Sequence, residues 1–189
     1  MAPDLAGQSQ GPFRKSQMAL FVLSVVGSDR PGLTAALAAA VLSTGGNWLE
    51  SHLSRLGGLY VGSVLVELEA DSVDSLRSAV RTVDAHGLEV RIAPAVETPG
   101  PDGETLHFRL VGQDRSGIVN QVTAVLSGLG ANIETFRSWI SAEPHSGVPL
   151  FNMEAHVRLP PELHVDRVQA ALEDISAEVM VDISLAPAP

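Results

Sequence analysis

Cysteine is absent from the 189-residue chain, which excludes a disulfide framework, thiol catalysis and thiolate metal sites. Aromatic residues make up only 4%, so any core has to be built from Val, Leu, Ile and Ala. Basic residues are also scarce. Twelve Lys and Arg stand against 22 Asp and Glu, a formal charge of −10, and no basic block interrupts the acidic background. Such a chain is a poor direct partner for DNA or RNA. No apolar run is long enough to span a membrane. The run over 18–26 closes at Gly27-Ser28-Asp29 and lacks a small-residue cleavage pattern, so a cytoplasmic protein is expected. None of the histidines forms an HExxH or an i, i+4 pair, and no Ser-His-Asp set stands out. The sequence therefore assigns no catalytic residue, no metal ligand and no cofactor.

What the chain does have is a repeat. Val26-Gly27-Ser28-Asp29-Arg30-Pro31-Gly32-Leu33 recurs as Val111-Gly112-Gln113-Asp114-Arg115-Ser116-Gly117-Ile118, with Val, Gly, Asp, Arg and Gly in the same places. An alternating apolar run enters each copy and a helical apolar run leaves it. That pattern predicts a strand, a tight glycine-containing loop and a helix start, whose unpaired N–H groups and partial positive charge suit an anion. The plainer reading is a capped turn in which Asp29 and Asp114 accept bonds from nearby backbone N–H groups.

Around the two loops the periodicities repeat as well. Phe21, Leu23 and Val25 alternate as a strand; Leu33, Leu37, Ala40 and Val41 mark a helix stripe, stopped by Gly45-Gly46. Residues 47–55 and 59–69 read as a hairpin about Gly57-Gly58. Val73, Leu76, Val80 and Val83 mark a second helix, and residues 88–92 a last strand. The proline- and acid-rich stretch 94–104 reads as a linker. The second unit repeats the order with Leu106, Phe108 and Leu110, then Ile118, Val122, Val125, Leu126 and Leu129, and ends in a strand at Val179–Leu185. A longer hairpin loop is expected at 142–149. The predicted organisation is a tail (1–17), unit 1 (18–93), the linker (94–104), unit 2 (105–185) and a short tail (186–189). The expected fold is α+β: two ferredoxin-like βαββαβ units, each a four-stranded antiparallel sheet with two helices on one face. Units of this size are marginal alone, so a compact pseudo-dimer, and beyond it a homodimer, is expected.

Asp29-Arg30-Pro31-Gly32-Leu33 with Gly45-Gly46-Asn47-Trp48, and Asp114-Arg115-Ser116-Gly117-Ile118 with Gly130-Ala131-Asn132-Ile133, resemble the ACT domain, a regulatory βαββαβ module. Two tandem copies carrying Gly46-Asn47-Trp48-Leu49-Glu50-Ser51 and Leu53-Ser54-Arg55-Leu56-Gly57-Gly58 look like the glycine cleavage system transcriptional repressor family. The resemblance implies a regulator without catalytic activity. It would sense a small amino acid, glycine or serine, and act on a transcription regulator by protein contact. In such modules the loop after the first strand faces the start of the second strand of a neighbouring unit. Carried over residue by residue, the ligand-binding residues are Asp29, Gly32 and Asn47, and Asp114, Gly117 and Asn132. Ser116 for Pro31 and Ala131 for Gly46 put the equivalence of the two sites in question.

The chemistry of those residues is coherent in its own right. A helix start near Gly32 or Gly117 offers donors to a carboxylate, Asp29 or Asp114 an acceptor to an ammonium, and an asparagine amide both. Two other readings stand beside it. One is an assembly module whose loops only cap helices. The other is an acylphosphatase-like hydrolase using Arg30 with Asn47, or Arg115 with Asn132, which the adjacent carboxylate opposes by repelling phosphate. His107 and His156 are expected on adjacent strands of one open sheet face, with Arg109, Glu154 and Arg158. Trp48 and Trp139 are expected to pack in a core or an interface.

Overall fold

The computed structural model describes residues 17–84, 87–96, 103–143, 146–174 and 179–185. The chain divides into two compact units, Met1–Thr98 and Pro99–Pro189. Unit 1 runs β1 (Met18–Ser28), α1 (Leu33–Ser43), β2 (Asn47–Leu56), β3 (Leu59–Glu69), a 3-10 turn (Ala70–Ser72), α2 (Val73–Asp84) and β4 (Leu88–Pro94). Its strands lie in the order β2-β3-β1-β4, every neighbour antiparallel. Unit 2 repeats this with β5 (Thr105–Gln113), α3 (Ile118–Gly128), β6 (Asn132–Ala142), β7 (Pro149–Arg158), α4 (Val165–Glu173) and β8 (Val179–Leu185), in the order β6-β7-β5-β8. Both units are the expected βαββαβ sheets.

The side-chain patterns explain why. Along β1, Phe21, Leu23 and Val25 are buried, while Ser24 and Val26 between and beyond them are exposed, so alternation alone orients the strand. Leu33, Leu37, Ala40 and Val41 are the buried residues of α1, as the 3.6-residue period requires. They join Leu76, Val80 and Val83 of α2 in one hydrophobic cluster over the sheet. Unit 2 builds its own cluster from Leu106, Phe108 and Leu110, the α3 stripe and Val168 and Leu172 of α4.

The glycine pair after α1 ends the helix as a Schellman turn. Gly45 takes φ 75°, Gly46 N–H donates to the Val41 carbonyl at 3.0 Å, and Gly45 N–H donates to that of Leu42 at 3.0 Å. After α3, Gly130 takes φ 73° and Ala131 N–H donates to the Leu126 carbonyl at 3.0 Å. Only the first member of each pair is left-handed. Alanine at 131 is therefore compatible with the same turn, and its difference from Gly46 leaves the local backbone unchanged.

Element ends differ from expectation by small amounts. β1 begins at Met18, and Pro94, expected in the linker, is the last residue of β4, paired with Phe21. A proline is tolerated there because β4 is an edge strand and 94 is its end. Predictions that fall on residues 1–16, 85–86, 97–102, 144–145, 175–178 and 186–189, among them the middle of the longer hairpin loop expected at 142–149, lie outside the described residues.

Candidate functional site

Each repeated loop leaves the end of the first strand and enters the first helix through a left-handed glycine. Gly32 caps α1 with φ 91° and Gly117 caps α3 with φ 88°. Neither helix start receives a side-chain cap. The capped-turn reading of Asp29 and Asp114 is thus replaced by a pair of helix N-termini whose first N–H groups have no side-chain partner. That arrangement favours an incoming anion.

The two aspartates are treated differently by their surroundings. Asp29 pairs with Arg55 at 3.0 Å, and its N–H donates to the Gly58 carbonyl at 3.5 Å. Thr34 in the first turn of α1 shares a 2.6 Å hydrogen bond with Tyr60. The β2–β3 hairpin therefore holds the unit 1 loop through Arg55, Gly58 and Tyr60. In unit 2, Asp114 N–H donates to the Pro149 carbonyl at 3.1 Å, and the Asp114 carboxylate makes no ion pair among the described residues. The arginines that follow also diverge. Arg30 lies over the turn before β4, where a Cβ at Gly87 would overlap its Nη2. Arg115 is half-buried, and its Nη2 is buried without a hydrogen-bond partner among the described residues. A buried, unsatisfied guanidinium nitrogen is costly and is best relieved by an acceptor.

Arg55, Thr34 and Tyr60 were not singled out from the sequence. The signal was present in the two-residue turn at Gly57-Gly58, because a hairpin that tight sets Arg55 opposite Tyr60, which pairs in turn with Gly27, so Arg55 stands one strand away from the start of the loop. The Asp29–Arg55 pair is well exposed, so Arg55→Ala should change stability by only about 0–1 kcal/mol. Urea unfolding would check this, and a loss several times larger would show that the pair has a structural role.

Asn47 and Asn132 open the second strands. Both are exposed, and neither amide has a hydrogen-bond partner among the described residues. A β-bulge follows each of them, between Trp48 and Glu50 and between Ile133 and Thr135. Bulges re-aim side chains at strand ends, and this one occurs at the same place in both units. Register separates the asparagines from the loops. Asn47 aligns through Glu67 with Leu20, whereas Asp29 follows Ser28. Asn132 aligns through Arg158 with Thr105, whereas Asp114 follows Gln113. Within a unit the loop and the asparagine thus lie about 26 Å apart at the rise of an extended strand. Asp29 with Gly32, and Asp114 with Gly117, come together; Asn47 and Asn132 do not join the loops of their own units. The same register separates Arg30 from Asn47 and Arg115 from Asn132, so no unit forms the hydrolase pair by itself.

On the open face of the unit 2 sheet, His107 and His156 are register partners with ring centroids 5.1 Å apart. Thr135 bonds to His156 Nδ1 at 2.7 Å, Arg109 pairs with Glu154 at 3.3 Å and Arg158 with Glu134 at 2.6 Å. No group of three or more metal-ligating side chains occurs among the described residues. Trp48 packs against the unit 1 core, whereas Trp139 belongs to the open-face row with Asn152, under the Arg137 guanidinium at 5.1 Å. Trp48 thus takes the core alternative of the core-or-interface expectation, while alternation along β6 turns Trp139 away from the helices and their core. Among the described residues no helix is long and apolar enough to cross a membrane.

Two βαββαβ units with matching glycine-capped loops and matching strand bulges define a tandem ferredoxin-like protein. The family model of the ACT domain matches residues 19–93. Residues 19–93 are thus an ACT domain, and the second unit repeats its topology and loop. A protein of unknown function from Galdieria sulphuraria is 30% identical, with a TM-score of 0.79 over 90% of this chain and 100% of that one. A candidate glycine cleavage system transcriptional repressor is 12% identical, with a TM-score of 0.65 over 90% of this chain and 100% of that one, a likeness of fold. A search of curated proteins gives no match.

Proposed function

We propose that this chain is a non-enzymatic regulator that binds a small amino acid, glycine or serine, and acts by contact with a transcription regulator in the cytoplasm. The role is that of the glycine cleavage system transcriptional repressor whose fold it shares. The observation that carries the reading is the pair of uncapped helix starts behind Gly32 and Gly117, each beside an aspartate. The carboxylate of the amino acid takes the helix N–H groups, and glycine permits close approach of the backbone. The ammonium takes Asp29 or Asp114. Asn47 and Asn132, exposed and without a hydrogen-bond partner among the described residues, complete the site from a second copy of the chain, since no single amino acid spans the distance within one unit. A homodimer is one way to supply that neighbour.

The unit 2 loop is the better equipped of the two. Among the described residues Asp114 is free of an ion pair, and Arg115 brings to the same loop a guanidinium nitrogen without a partner. At unit 1 an ammonium has to share Asp29 with Arg55. Ligand binding that alters how subunits associate would change the surface shown to the partner, which is how the signal would leave the site.

The test is a thermal-shift screen of the purified chain against the twenty amino acids, with acetyl phosphate included. Binding to the native state raises the melting temperature by mass action, by about 2.7 kcal/mol of stabilisation at a hundredfold excess over Kd. A shift with glycine or serine is expected, and the Asn47→Ala plus Asn132→Ala double variant should weaken that affinity at least about tenfold, the worth of one good hydrogen bond. Full affinity in that variant would remove the asparagines from the site. No shift with any amino acid would favour the ligand-free assembly module.

A further inference from the structure

Helix α2 and strand β4 of unit 1 border a cleft of about 440 Å³, remote in role from the repeated loops. Val80, Val90 and Ile92 give it an apolar floor, Arg77 and Arg81 line its helix side, and Arg91 lines its strand side. Arg77 and Arg81 stand one helical turn apart and so share a face. Arg77 pairs with Asp74 only at 3.8 Å, and Arg81 makes no ion pair among the described residues. Arg91 aligns with Ser24 of the open face and is held by Glu89 at 3.1 Å, so it belongs to the rim. β4 pairs with β1 alone, which leaves backbone N–H groups along its outer edge. In a chain with a formal charge of −10, this cleft gathers three of the twelve Lys and Arg.

Unit 2 shows that the fold does not need them. Aligned through the two sheets and helices, Gln169 and Glu173 of α4 stand where α2 has Arg77 and Arg81, and Asp182 of β8 stands where β4 has Arg91. Gln169 Nε2 donates to Glu173 Oε1 at 2.8 Å. A cation in the last turn can complement the helix dipole, yet α4 ends without one. A helix at this place in the fold is thus built equally well with Gln169 and Glu173 as with two arginines, and the arginines of unit 1 call for another reason.

We propose that the α2–β4 cleft of unit 1 binds a small organic anion, with a phosphate or carboxylate head between Arg77 and Arg81 and an apolar body on Val80, Val90 and Ile92. Guanidinium groups match both heads through paired, charge-assisted hydrogen bonds. The volume is within the ordinary range for small-ligand sites. This site is independent of the amino-acid reading of the loops.

The amphipathic anion 8-anilinonaphthalene-1-sulfonate is the direct probe, followed by its fluorescence, with phenyl phosphate and phenylacetate as competitors that separate the two head groups. Glycine serves as the control for the loops. Binding is expected to weaken at least about tenfold in the Arg77→Gln plus Arg81→Glu variant, which installs the unit 2 residues, and to weaken with salt. In the unaltered chain, amide shifts on adding phenyl phosphate should centre on Val80, Val90 and Ile92, a readout that does not depend on the variant folding. Displacement of the dye by glycine would move the site to the loops and overturn the proposal. So would equal dye binding by the variant, or no amide shifts at those three residues with either competitor.

Discussion

Leu37→Ala destabilises unit 1 by about 2–5 kcal/mol, the cost of removing a fully buried leucine and leaving a cavity. Leu37 is 0% exposed and lies at the centre of the α1 stripe, between Leu33 and Val41, in the cluster that fills unit 1. Neighbours on both helices and the sheet fix its position, so collapse into the void is restricted. Trp48 packs against the same cluster and Trp139 belongs to unit 2. A Trp139→Phe background therefore lets tryptophan fluorescence follow unit 1 alone during urea unfolding. The control is Leu42→Ala one residue past the stripe, 75% exposed, where a change within about 0.5 kcal/mol is expected. Similar midpoints for the two variants would refute the assignment of the stripe.

Gly62→Ala is the second large effect, and it acts through the backbone. Gly62 takes φ 150° in the middle of β3, opposite Val25 on one side and Leu53 on the other. A Cβ built there overlaps the His52 carbonyl oxygen of β2 and crowds Leu53 Cα at 2.9 Å. Main-chain atoms cannot rotate away as a side chain would, so β2 has to shift off β3. A loss of about 3 kcal/mol or more is expected, combining a strained φ with overpacking. Gly58→Ala makes the informative contrast. It too has a positive φ, of 84°, but nothing lies within 4 Å of its Cβ, so only the conformational penalty of about 1–2 kcal/mol applies. Hydrogen exchange should show β2 amides losing protection in Gly62→Ala and keeping it in Gly58→Ala. The reverse order would show that φ, and not the close approach of two strands, governs position 62.

Much of this molecule is written in short-range patterns. Period-2 and period-3.6 spacing picked out the buried residues of β1 and α1, because a residue's side of a strand or helix depends on its neighbours a few positions away. The repeat of Asp29-Arg30-Pro31-Gly32 as Asp114-Arg115-Ser116-Gly117 located both loops and both left-handed glycines, since a sharp entry to a helix has few chemical solutions. Even the pairing of His107 with His156 followed from topology, once the strand order was given by the βαββαβ pattern.

The sequence by itself determined the two units, their sheets and helices, and which residues form each loop. Tertiary structure alone decided which groups those loop residues meet. Register placed Asn47 and Asn132 at the far ends of the sheets from Asp29 and Asp114, and a tight hairpin gave the Asp29 carboxylate the partner Arg55, while the Asp114 carboxylate has no ion pair among the described residues. It also set arginines in one helix–strand cleft where the twin unit has acidic and neutral residues. Local periodicity fixes the face a side chain occupies. Its neighbour across a sheet depends on strand register and hairpin length, which are settled only when distant segments pair.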